Sequence, residues 1–437
     1  MSDNKTFSRF MIAGTNSGSG KTTFSLAVLR ALKRRGLSVA PFKCGPDYID
    51  PLFHRQAAGA TSWNLDTFFG SETEFSRRAA GHDAAVVEGV MGLFDGIHPD
   101  RLDGSCAEIA AKLRLPVVLT VNAQGISGSI APLVKGFAEW HPGVKIIGVF
   151  AAKVGSARHA ELLKTALAAA GLPPLLGYLV RDDRLILPER HLGLSVGKLD
   201  DAWLDSLAAE FEAGADLDLL LELSRGPVSA VRPETFPPPV LRLGVAQDEA
   251  FCFYYEANLD ALRRNGVEIV PFSPLHDRVL PENLNGIYLG GGYPELYLKE
   301  LNANVSMLDS IRDFAKDHFV YGECGGYLFL LESLEDFSGQ TLPCLGLLPG
   351  RARMNRRLAS LGYREVSGEW GRGRGHEFHY SSLIEPPPGP YLWHGADKHG
   401  REFDCGGIRG KVCGSYIHLY FAGSPELIRG FIDRLAN

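Results

Sequence analysis

The stretch FMIAGTNSGSGKTTFSLAVLRALKRRG, residues 10–36, has the pattern of a phosphate-binding loop that joins a buried strand to a helix. Such a loop needs glycines, so that backbone N–H groups can turn towards phosphate oxygens, a lysine for their charge and a hydroxyl for Mg²⁺. The residues that supply these parts are Gly14, Gly18, Gly20, Lys21, Thr22 and Thr23. The pattern predicts a nucleotide site after the first strand of a parallel α/β sheet.

Two details of the loop narrow this interpretation. Counted from Gly14, the spacing is one residue longer than GxxxxGK[ST], so the loop is a variant of the Walker motif. A partition-type or regulatory ATPase of this loop class is expected to carry a second lysine early in the loop, where Thr15 and Asn16 stand here. The loop therefore weighs against a purely regulatory ATPase.

The bulk composition excludes several classes of protein. A chain of 437 residues is too long for one compact core, so two domains of roughly 200 residues are expected. The net charge is −6 without a basic block, which argues against nucleic-acid and anionic-membrane partners. The first ten residues lack the apolar core of a signal peptide, and no apolar run approaches ~20 residues. The seven cysteines form no CxxC pair, which is typical of reduced thiols in a cytoplasmic enzyme.

A proline-rich stretch divides the chain. AVRPETFPPPV, residues 230–240, contains four prolines and predicts an extended linker between domains at 1–229 and 241–437. On both sides, short apolar runs alternate with amphipathic helical patterns, which predicts two parallel α/β domains. The strand candidates are RFMIAG, LSVAPFK, AAVVEGV, PVVLTVNA and KIIGVFAAK before the linker, and LRLGVAQD, VEIVPFSP, NGIYLGGG, HFVYGECGG and KVCGSYIHLYFAG after it.

Charged residues at the ends of two further strands fit a phosphoryl-transfer site. AAVVEGVMGLFDG, residues 84–96, contains Glu88, where a carboxylate would face Mg²⁺ from the carboxyl edge of the sheet. PFKCGPDYIDP, residues 41–51, places Lys43, Asp47 and Asp50 at the same edge. For Asp50 and for Asp95, a structural role in a turn or a helix cap is the alternative.

A second chemical centre lies in GECGG, residues 322–326. Glycines around Cys324, directly after a buried strand, resemble the sharp turn that exposes a nucleophile. The preceding loop LGGGYPE offers the backbone N–H groups of Gly291 and Gly292 as an oxyanion hole, and His418, 94 residues downstream, is the candidate base. An inert core cysteine is the alternative.

The histidines of GHEFHYS do not predict a metal centre. His376 and His379 could be combined with Cys405 and Cys413, but the spacing matches no zinc pattern. We expect these side chains to line a substrate cleft or to pack in the core.

Taken together, these motifs resemble the cobyrinate a,c-diamide synthases of the cobalamin-pathway amidotransferase family. The likeness extends over nearly the whole chain and rests on AGTNSGSGKTT, PFKCGPDYIDP, NLDTF, VVEGVMGLFDG, LPERHLGL, LGGGYPELY, YGECGGYLFL, LGYREV, GHEFHYS and SYIHLYFAGSPE. The resemblance implies a dethiobiotin-synthetase-like P-loop domain with a parallel sheet, followed by a class I glutamine amidotransferase domain of flavodoxin-like α/β fold.

The resemblance also implies a reaction in two halves. Cys324, with His418 as its base, would release ammonia from L-glutamine. The first domain would use ATP and Mg²⁺ to activate the a- and c-acetate carboxylates of a corrin-type macrocycle, which ammonia then converts to amides. The implied nucleotide ligands are the loop residues and Lys43, and the implied metal ligands are Thr22, Asp47 and Glu88. Residues implied to meet the macrocycle or its acyl-phosphate are Asp47, Tyr48, Ile49, Asp50 and Asp95.

Two positions depart from the related proteins. The general class I amidotransferases have His-x-Glu, but Tyr420 stands two residues after His418, so the resemblance implies a Cys–His dyad with another group, or none, orienting the imidazole. The family commonly has Asn in the strand written GVFAAKV, where this chain has Ala152. If that Asn reads the nucleotide base, discrimination between ATP and GTP is weak here.

Several alternatives stay open at this point. The same chemistry could act on hydrogenobyrinate or nickel-sirohydrochlorin, since charge and aromatic content do not distinguish these macrocycles. A P-loop regulator with a sensing amidotransferase-like domain and a free-standing glutaminase are the other classes. A homodimer is compatible with the sequence, which does not set the oligomeric state.

Overall fold

The computed structural model describes residues 7–185, 187, 199–227, 235–397 and 400–437. Contacts divide the chain into two units, Met1–Arg232 and Pro233–Asn437. The division falls inside the predicted linker, of which residues 230–234 lie outside the described ranges, as does most of the motif LPERHLGL at residues 188–194. The domain bounds 1–229 and 241–437 stay a prediction.

The first unit alternates strands and helices. Its strands are β1 (Phe7–Gly14), β2 (Val39–Cys44), β3 (Trp63–Leu65), β4 (Ala84–Gly92), β5 (Val117–Asn122), β6 (Ile146–Val154), β7 (Leu175–Val180) and β8 (Arg225–Gly226). Its helices are α1 (Lys21–Arg34), α2 (Ile49–Ala58), α3 (Phe75–Ala79), α4 (Cys106–Leu113), α5 (Ile130–Glu139), α6 (Ala157–Ala169), α7 (Asp201–Gly214) and α8 (Leu217–Leu223).

The strands of this unit form one sheet in the order β3-β2-β4-β1-β5-β6-β7, with β8 antiparallel to β1. All other pairings are parallel. Strand β1 is buried on both faces because Phe10 and Ile12 join one apolar core whereas Met11 and Ala13 join the other. The loops after β1, β2 and β4 therefore meet at one edge, the carboxyl edge at which open α/β sheets bind their ligands.

The second unit carries more strands than the sequence predicts. Its strands are β9 (Leu241–Ala246), β10 (Phe251–Phe253), β11 (Val267–Phe272), β12 (Gly286–Leu289), β13 (Gly291–Gly292), β14 (Phe319–Glu323), β15 (Ser333–Glu335), β16 (Thr341–Pro343), β17 (Arg351–Met354), β18 (Ser360–Gly368), β19 (Gly371–His379), β20 (Ser381–Glu385), β21 (Trp393–Ala396), β22 (Glu402–Cys405), β23 (Gly407–Arg409), β24 (Val412–Ser415) and β25 (His418–Leu419). Its helices are α9 (Glu256–Arg264), α10 (Leu298–Ala303), α11 (Val305–Phe314), α12 (Gly325–Leu330) and α13 (Pro425–Ala436).

The main sheet of this unit runs β11-β9-β12-β14-β24-β23. Its five parallel strands, counted along the chain, have the order 2-1-3-4-5, which is the flavodoxin-like arrangement predicted above. Sheets β16-β15-β17-β20 and β22-β21-β18-β19-β25, together with the pair β10-β13, complete the unit. None of the helices within the described ranges combines the length and the apolar character that crossing a bilayer requires.

The prediction of one strand over KVCGSYIHLYFAG is wrong. The segment forms β24 in the parallel sheet and β25, which pairs with β19 in a different sheet. Between them, the Ile417 N–H donates to Ser415 Oγ at 3.3 Å, so the chain turns out of the first sheet there. This turn puts His418 on β25 and not on the parallel sheet.

Candidate active sites

The phosphate loop spans the turn between β1 and α1. Gly20 has φ 99°, and a Cβ added to it would lie 2.9 Å from Ala152 Cβ, so only glycine fits there. A Cβ at Gly14 would lie 2.1 Å from Ser19 Oγ. Lys21 folds back and donates to Asn16 O at 3.2 Å. Burial and then the neighbouring Lys43 charge lower the pKa of Lys21, although the Glu88 and Asp50 carboxylates oppose the shift.

Glu88 is the centre of a buried ionic cluster beneath the loop. Thr22 Oγ1 donates to Glu88 Oε1 at 2.6 Å, and Lys43 Nζ donates to the same oxygen at 2.9 Å. Lys43 also forms an ion pair with Asp50 Oδ2 at 2.7 Å. The second oxygen, Glu88 Oε2, lies 2.7 Å from His54 Nε2. The structure thus brings together four of the predicted residues, Thr22, Lys43, Asp50 and Glu88.

The cluster fixes the charge of Glu88. Burial alone would disfavour the carboxylate, but Lys43 and then His54 outweigh it and hold the pKa of Glu88 well below its usual range. Lys43 is just as buried, and the carboxylates of Asp50 and Glu88 raise its pKa well above the usual value despite desolvation. The cluster therefore presents an ionised carboxylate beside the loop hydroxyl.

His54 was not predicted from the sequence. Its Nδ1 lies 3.1 Å from Ser62 Oγ, so both ring nitrogens have partners and the ring orientation is set. The signal available in the sequence is its position four residues after Asp50, which places both on one face of α2.

Other predicted residues beside the cluster have structural contacts. Asp47 Oδ1 accepts hydrogen bonds from the N–H groups of Ile49 and Asp50, the first two residues of α2, at 2.8 and 3.0 Å. Ile49 is half-buried against one core of the sheet, and Tyr48 is half-buried at the start of the helix. Asp95 Oδ2 accepts from the Gly92 N–H at 2.8 Å in the turn after β4, the structural role that the sequence left as an alternative. Their macrocycle-binding roles stay predictions.

The residues beside the loop fit Mg²⁺. No group of three or more His, Cys, Asp or Glu side chains in the described ranges is arranged to hold a metal by itself. Mg²⁺, however, is usually held by one or two protein oxygens together with substrate phosphates and water. Thr22 Oγ1 and Glu88 Oε1, 2.6 Å apart, supply two such oxygens. The predicted metal role of Asp47, whose Oδ1 accepts from the Ile49 N–H, stays a prediction.

A cavity of about 490 Å³ adjoins the loop. Gly18, Lys21 and Thr23 line one part of it, and Ala152 lies in its wall. The rest of its lining is formed by Phe24, Gln124, Lys153, Leu179, Val180, Arg181, Asp182, Asp183, Leu185 and Leu187, with Gly20 and Thr22. Its size suits a nucleoside, and Ala152 lies in its lining.

In the second unit, Cys324 sits in a sharp turn between β14 and α12. Its φ is 48° and its ψ is −105°, a conformation that non-glycine residues rarely adopt. A Cβ at Gly326 would lie 1.9 Å from Leu289 O, and a Cβ at Gly325 would lie 2.8 Å from Pro294 Cδ. The predicted nucleophile turn is therefore present. Burial and then the Glu295 carboxylate raise the pKa of the Cys324 thiol well above its usual value.

The glycine loop lies between Cys324 and His418. A Cβ at Gly291 would lie 2.4 Å from His418 Cε1, and a Cβ at Gly325 would lie 3.2 Å from the backbone of Gly292. Gly291 and Gly292 form β13, which pairs with β10. The Tyr254 hydroxyl accepts a hydrogen bond from the Gly290 N–H at 2.8 Å. The role of Gly291 and Gly292 as an oxyanion hole stays a prediction.

The surroundings of His418 are aromatic and buried. Its ring stacks on His376 at 5.0 Å between centroids, and Tyr255 OH lies 2.9 Å from His376 Nδ1. Burial, followed by the charges of His376 and His379, lowers the pKa of His418 well below its usual value. The imidazole is therefore neutral at rest, which suits a base.

The remaining histidine of GHEFHYS packs on an aromatic ring. His379 stacks on Tyr416 at 3.9 Å between centroids, and its Nδ1 lies 2.9 Å from Ser381 O. Within the described part of the chain, no zinc set forms with Cys405 or Cys413.

Glu323, directly before the nucleophile, was also not predicted. Its carboxyl group is buried, accepts hydrogen bonds from Tyr288 OH at 2.6 Å and Tyr321 OH at 2.8 Å, and lies 3.8 Å from His418 Nδ1. The signal in the sequence is an acidic residue that ends the otherwise uncharged run FVYGE. A charge in a buried strand is expensive unless it has a function or partners.

Comparisons with known proteins find a matching family for each half of the chain. Residues 10–194 match the family described as CobQ/CobB/MinD/ParA nucleotide binding domain, and residues 242–426 match CobB/CobQ-like glutamine amidotransferase domain. Three relatives carry the name cobyrinate a,c-diamide synthase. The protein from Dehalococcoides mccartyi (strain CBDB1) is 42% identical over 98% of both chains. That from Syntrophotalea carbinolica is 43% identical over 97% of this chain and 98% of its own, and that from Salmonella typhimurium is 40% identical over 97% of each.

These full-length similarities, with a P-loop domain followed by a glutamine amidotransferase domain, show that the chain belongs to the cobyrinate a,c-diamide synthase family.

Proposed function

We propose that this chain converts the a- and c-acetate carboxylates of cobyrinate to amides, using ATP and L-glutamine. The observation that carries the proposal is the similarity to cobyrinate a,c-diamide synthases over 98% of the chain. The loop cluster around Glu88 and the cysteine turn support it, because they supply the two chemistries that such a reaction needs.

The glutaminase half begins at Cys324. His418 takes the thiol proton as the sulfur attacks the amide carbon of glutamine, and it returns that proton to the departing ammonia. This leaves a glutamyl thioester, which water hydrolyses to glutamate and free thiol. Burial raises the pKa of Cys324 and lowers that of His418, so in the free enzyme the thiol keeps its proton and the imidazole is neutral and able to accept it.

The synthetase half makes the carboxylate reactive. A carboxylate oxygen of the macrocycle takes the γ-phosphoryl group of ATP and releases ADP, and ammonia then displaces phosphate to give the amide. Lys21 and the loop N–H groups would hold the transferring phosphoryl group, with Thr22 and Glu88 as the protein ligands of Mg²⁺. Mg²⁺, when bound, neutralises charge on the phosphate oxygens.

We also propose domain bounds, roles for three further residues, a cellular location and an oligomeric state. Residues 1–229 would form the synthetase domain and residues 241–437 the amidotransferase domain. Lys43 would act on the site through Glu88, and Gly291 and Gly292 would form the oxyanion hole. We propose a cytoplasmic location, since ATP and glutamine are cytoplasmic metabolites and the seven cysteines are free thiols. We also propose that the chain forms a homodimer, and light scattering of the purified protein tests this by its molar mass.

The substrate is tested by mass spectrometry after incubation with Mg·ATP and glutamine. Cobyrinate, hydrogenobyrinate and nickel-sirohydrochlorin are offered separately, and each amidation lowers the mass by about one unit. Two such decreases on cobyrinate are expected. Two decreases on another macrocycle alone would correct the substrate, and none on any of the three would reject the proposal.

A further inference from the structure

Glu323 holds a buried carboxyl group that the proposed steps do not use. It is the last residue of β14, its side chain is 2% exposed, and the next residue is the nucleophile. Oε2 accepts from Tyr288 OH at 2.6 Å, whereas Oε1 accepts from Tyr321 OH at 2.8 Å and from the Leu419 N–H at 3.2 Å. Three donors from three strands therefore fix the position of the carboxyl group.

The carboxyl group faces one edge of the His418 ring. Glu323 Oε2 lies 3.8 Å from His418 Nδ1, and the ring atom Cε1 lies against Gly291, where a Cβ would come within 2.4 Å. At 3.8 Å the pair is longer than a hydrogen bond, but contacts of this kind often tighten when the substrate binds. A carboxylate on the Nδ1 side favours the tautomer with a proton on Nδ1 and leaves Nε2 as the base.

We propose that Glu323 is the positioning residue for His418, orienting its imidazole and stabilising the imidazolium that forms when Cys324 gives up its proton. The inference rests on the proposed function, because it assumes that Cys324 and His418 hydrolyse glutamine. Tyr420, two residues after His418, packs against Tyr255 at 5.2 Å between ring centroids and carries no carboxylate that could do this.

The proposed role depends on pH because it requires the carboxyl group of Glu323 to be ionised. Burial raises the pKa of Glu323 to about 7, although both tyrosine hydroxyls oppose the rise. Tyr288 and Tyr321 act on the carboxyl group of Glu323. The imidazole of His418 faces the charges of His376 and His379. The thiol of Cys324 faces the carboxylates of Glu295 and Glu377. Below the pKa of Glu323 the carboxyl group is neutral and cannot stabilise an imidazolium, so glutamine hydrolysis should fall as the pH drops through about 7.

The test measures glutamate release by the full chain, with Mg·ATP and cobyrinate present, from acidic to mildly alkaline pH. Glu323→Gln has nearly the same shape and keeps an acceptor, but it has no charge. We expect kcat to fall about 100-fold with the KM for glutamine changed little, and the acidic limb of the profile to disappear. Glu323→Asp retains the charge and should keep the limb with an intermediate kcat.

Tyr321→Phe supplies a readout that a purely structural role would not move. It removes a donor that lowers the pKa of Glu323, so the midpoint of the acidic limb should shift to higher pH. This variant tests the proposal even if Glu323→Gln does not fold. An unshifted limb in Tyr321→Phe, or wild-type kcat and profile in Glu323→Gln, would overturn the proposal.

Cys324→Ser separates this inference from the proposed function. Loss of hydrolysis in Cys324→Ser together with an unchanged Glu323→Gln enzyme rejects only the role of Glu323. Wild-type hydrolysis in Cys324→Ser would reject the glutaminase assignment itself.

Discussion

Thr22 Oγ1 and Glu88 Oε1 lie 2.6 Å apart although 66 residues separate them in the chain. The contact follows from the strand order, because β4, which carries Glu88, is the direct parallel neighbour of β1, which leads into the loop. It joins a hydroxyl in the first turn of α1 to the carboxylate that Lys43 and His54 keep ionised. The oxygens proposed to hold Mg²⁺ are therefore set before a nucleotide binds.

Glu88→Gln tests the proposed role of this carboxylate. We expect ATP-dependent amidation to fall by about 100-fold, equivalent to about 2.7 kcal/mol, and to need more Mg²⁺, because a neutral amide is a poor ligand for that ion. ADP release measured against Mg²⁺ concentration checks this. Glu212→Gln is the matched control, since Glu212 pairs with Arg34 on the surface at 3.4 Å. An unchanged Mg²⁺ dependence in Glu88→Gln would remove Glu88 from the metal site.

Lys43→Met is expected to destabilise the first unit. Lys43 is 4% exposed and pairs with Asp50 and Glu88, so its loss leaves two buried carboxylates without their main cation. Breaking a buried pair in this way costs about 3–5 kcal/mol. Urea unfolding measures the change. Lys135→Met removes an exposed lysine 3.9 Å from Glu139 and should change stability by less than about 0.5 kcal/mol. Equal effects of the two variants would contradict the buried cluster.

The first sheet could be predicted because its signals are local. Buried apolar runs, a glycine loop and a following helix define β1 and α1, and α/β alternation defines the parallel order. The second unit was harder. Strands β18 and β19 are close in sequence and pair with each other, but β19 begins by alternating glycine with arginine and β18 mixes polar, apolar and glycine residues. Hydrophobic periodicity therefore does not mark them. The break between β24 and β25 depends on which sheet each strand joins, and that is set by tertiary contacts.

Gly326→Ala tests the geometry of the cysteine turn. The added Cβ would lie 1.9 Å from Leu289 O, which is backbone and cannot swing away, so the turn must deform. We expect glutamine hydrolysis to be lost and the second unit to lose about 2 kcal/mol or more of unfolding free energy. The control is Gly136→Ala inside α5, where nothing lies within 4 Å and alanine should stabilise the helix by about 0.5–1 kcal/mol. Full hydrolysis by Gly326→Ala would contradict the strained turn.

Glu323→Gln should make the protein more stable at alkaline pH. The pKa of Glu323 is raised to about 7 in the folded chain, so the folded state holds this proton more tightly than the unfolded state does. The wild type therefore loses stability as the pH rises from the ordinary carboxyl pKa through about 7, and the glutamine variant lacks that loss. The expected gain is at most about 3 kcal/mol, visible as a difference in melting temperature that grows with pH. A difference that shrinks as the pH rises would contradict the assignment.

The sites were predicted in part, and the omissions have one physical cause. The motifs that contain Thr22, Glu88, Cys324 and His418 indicate their chemistry by residue type. His54 and Glu323 were not predicted because their significance depends on a partner from another strand, and no spacing in the sequence encodes that contact. Asp95 accepts a hydrogen bond from the Gly92 N–H in the turn after β4, and its role toward the substrate stays a prediction.

Both half-reactions are proposed to take place in one chain, so that nitrogen from glutamine reaches a carboxylate activated by ATP. The most direct measurement supplies glutamine labelled with ¹⁵N at its side-chain amide, together with Mg·ATP and cobyrinate, and determines ¹⁵N in the product by mass spectrometry. We expect two ¹⁵N atoms in each macrocycle, with one ADP released for each amide formed, and neither ¹⁵N incorporation nor ADP release without ATP. ATP-dependent amidation without ¹⁵N, or glutamine hydrolysis with no labelled macrocycle, would contradict this proposal.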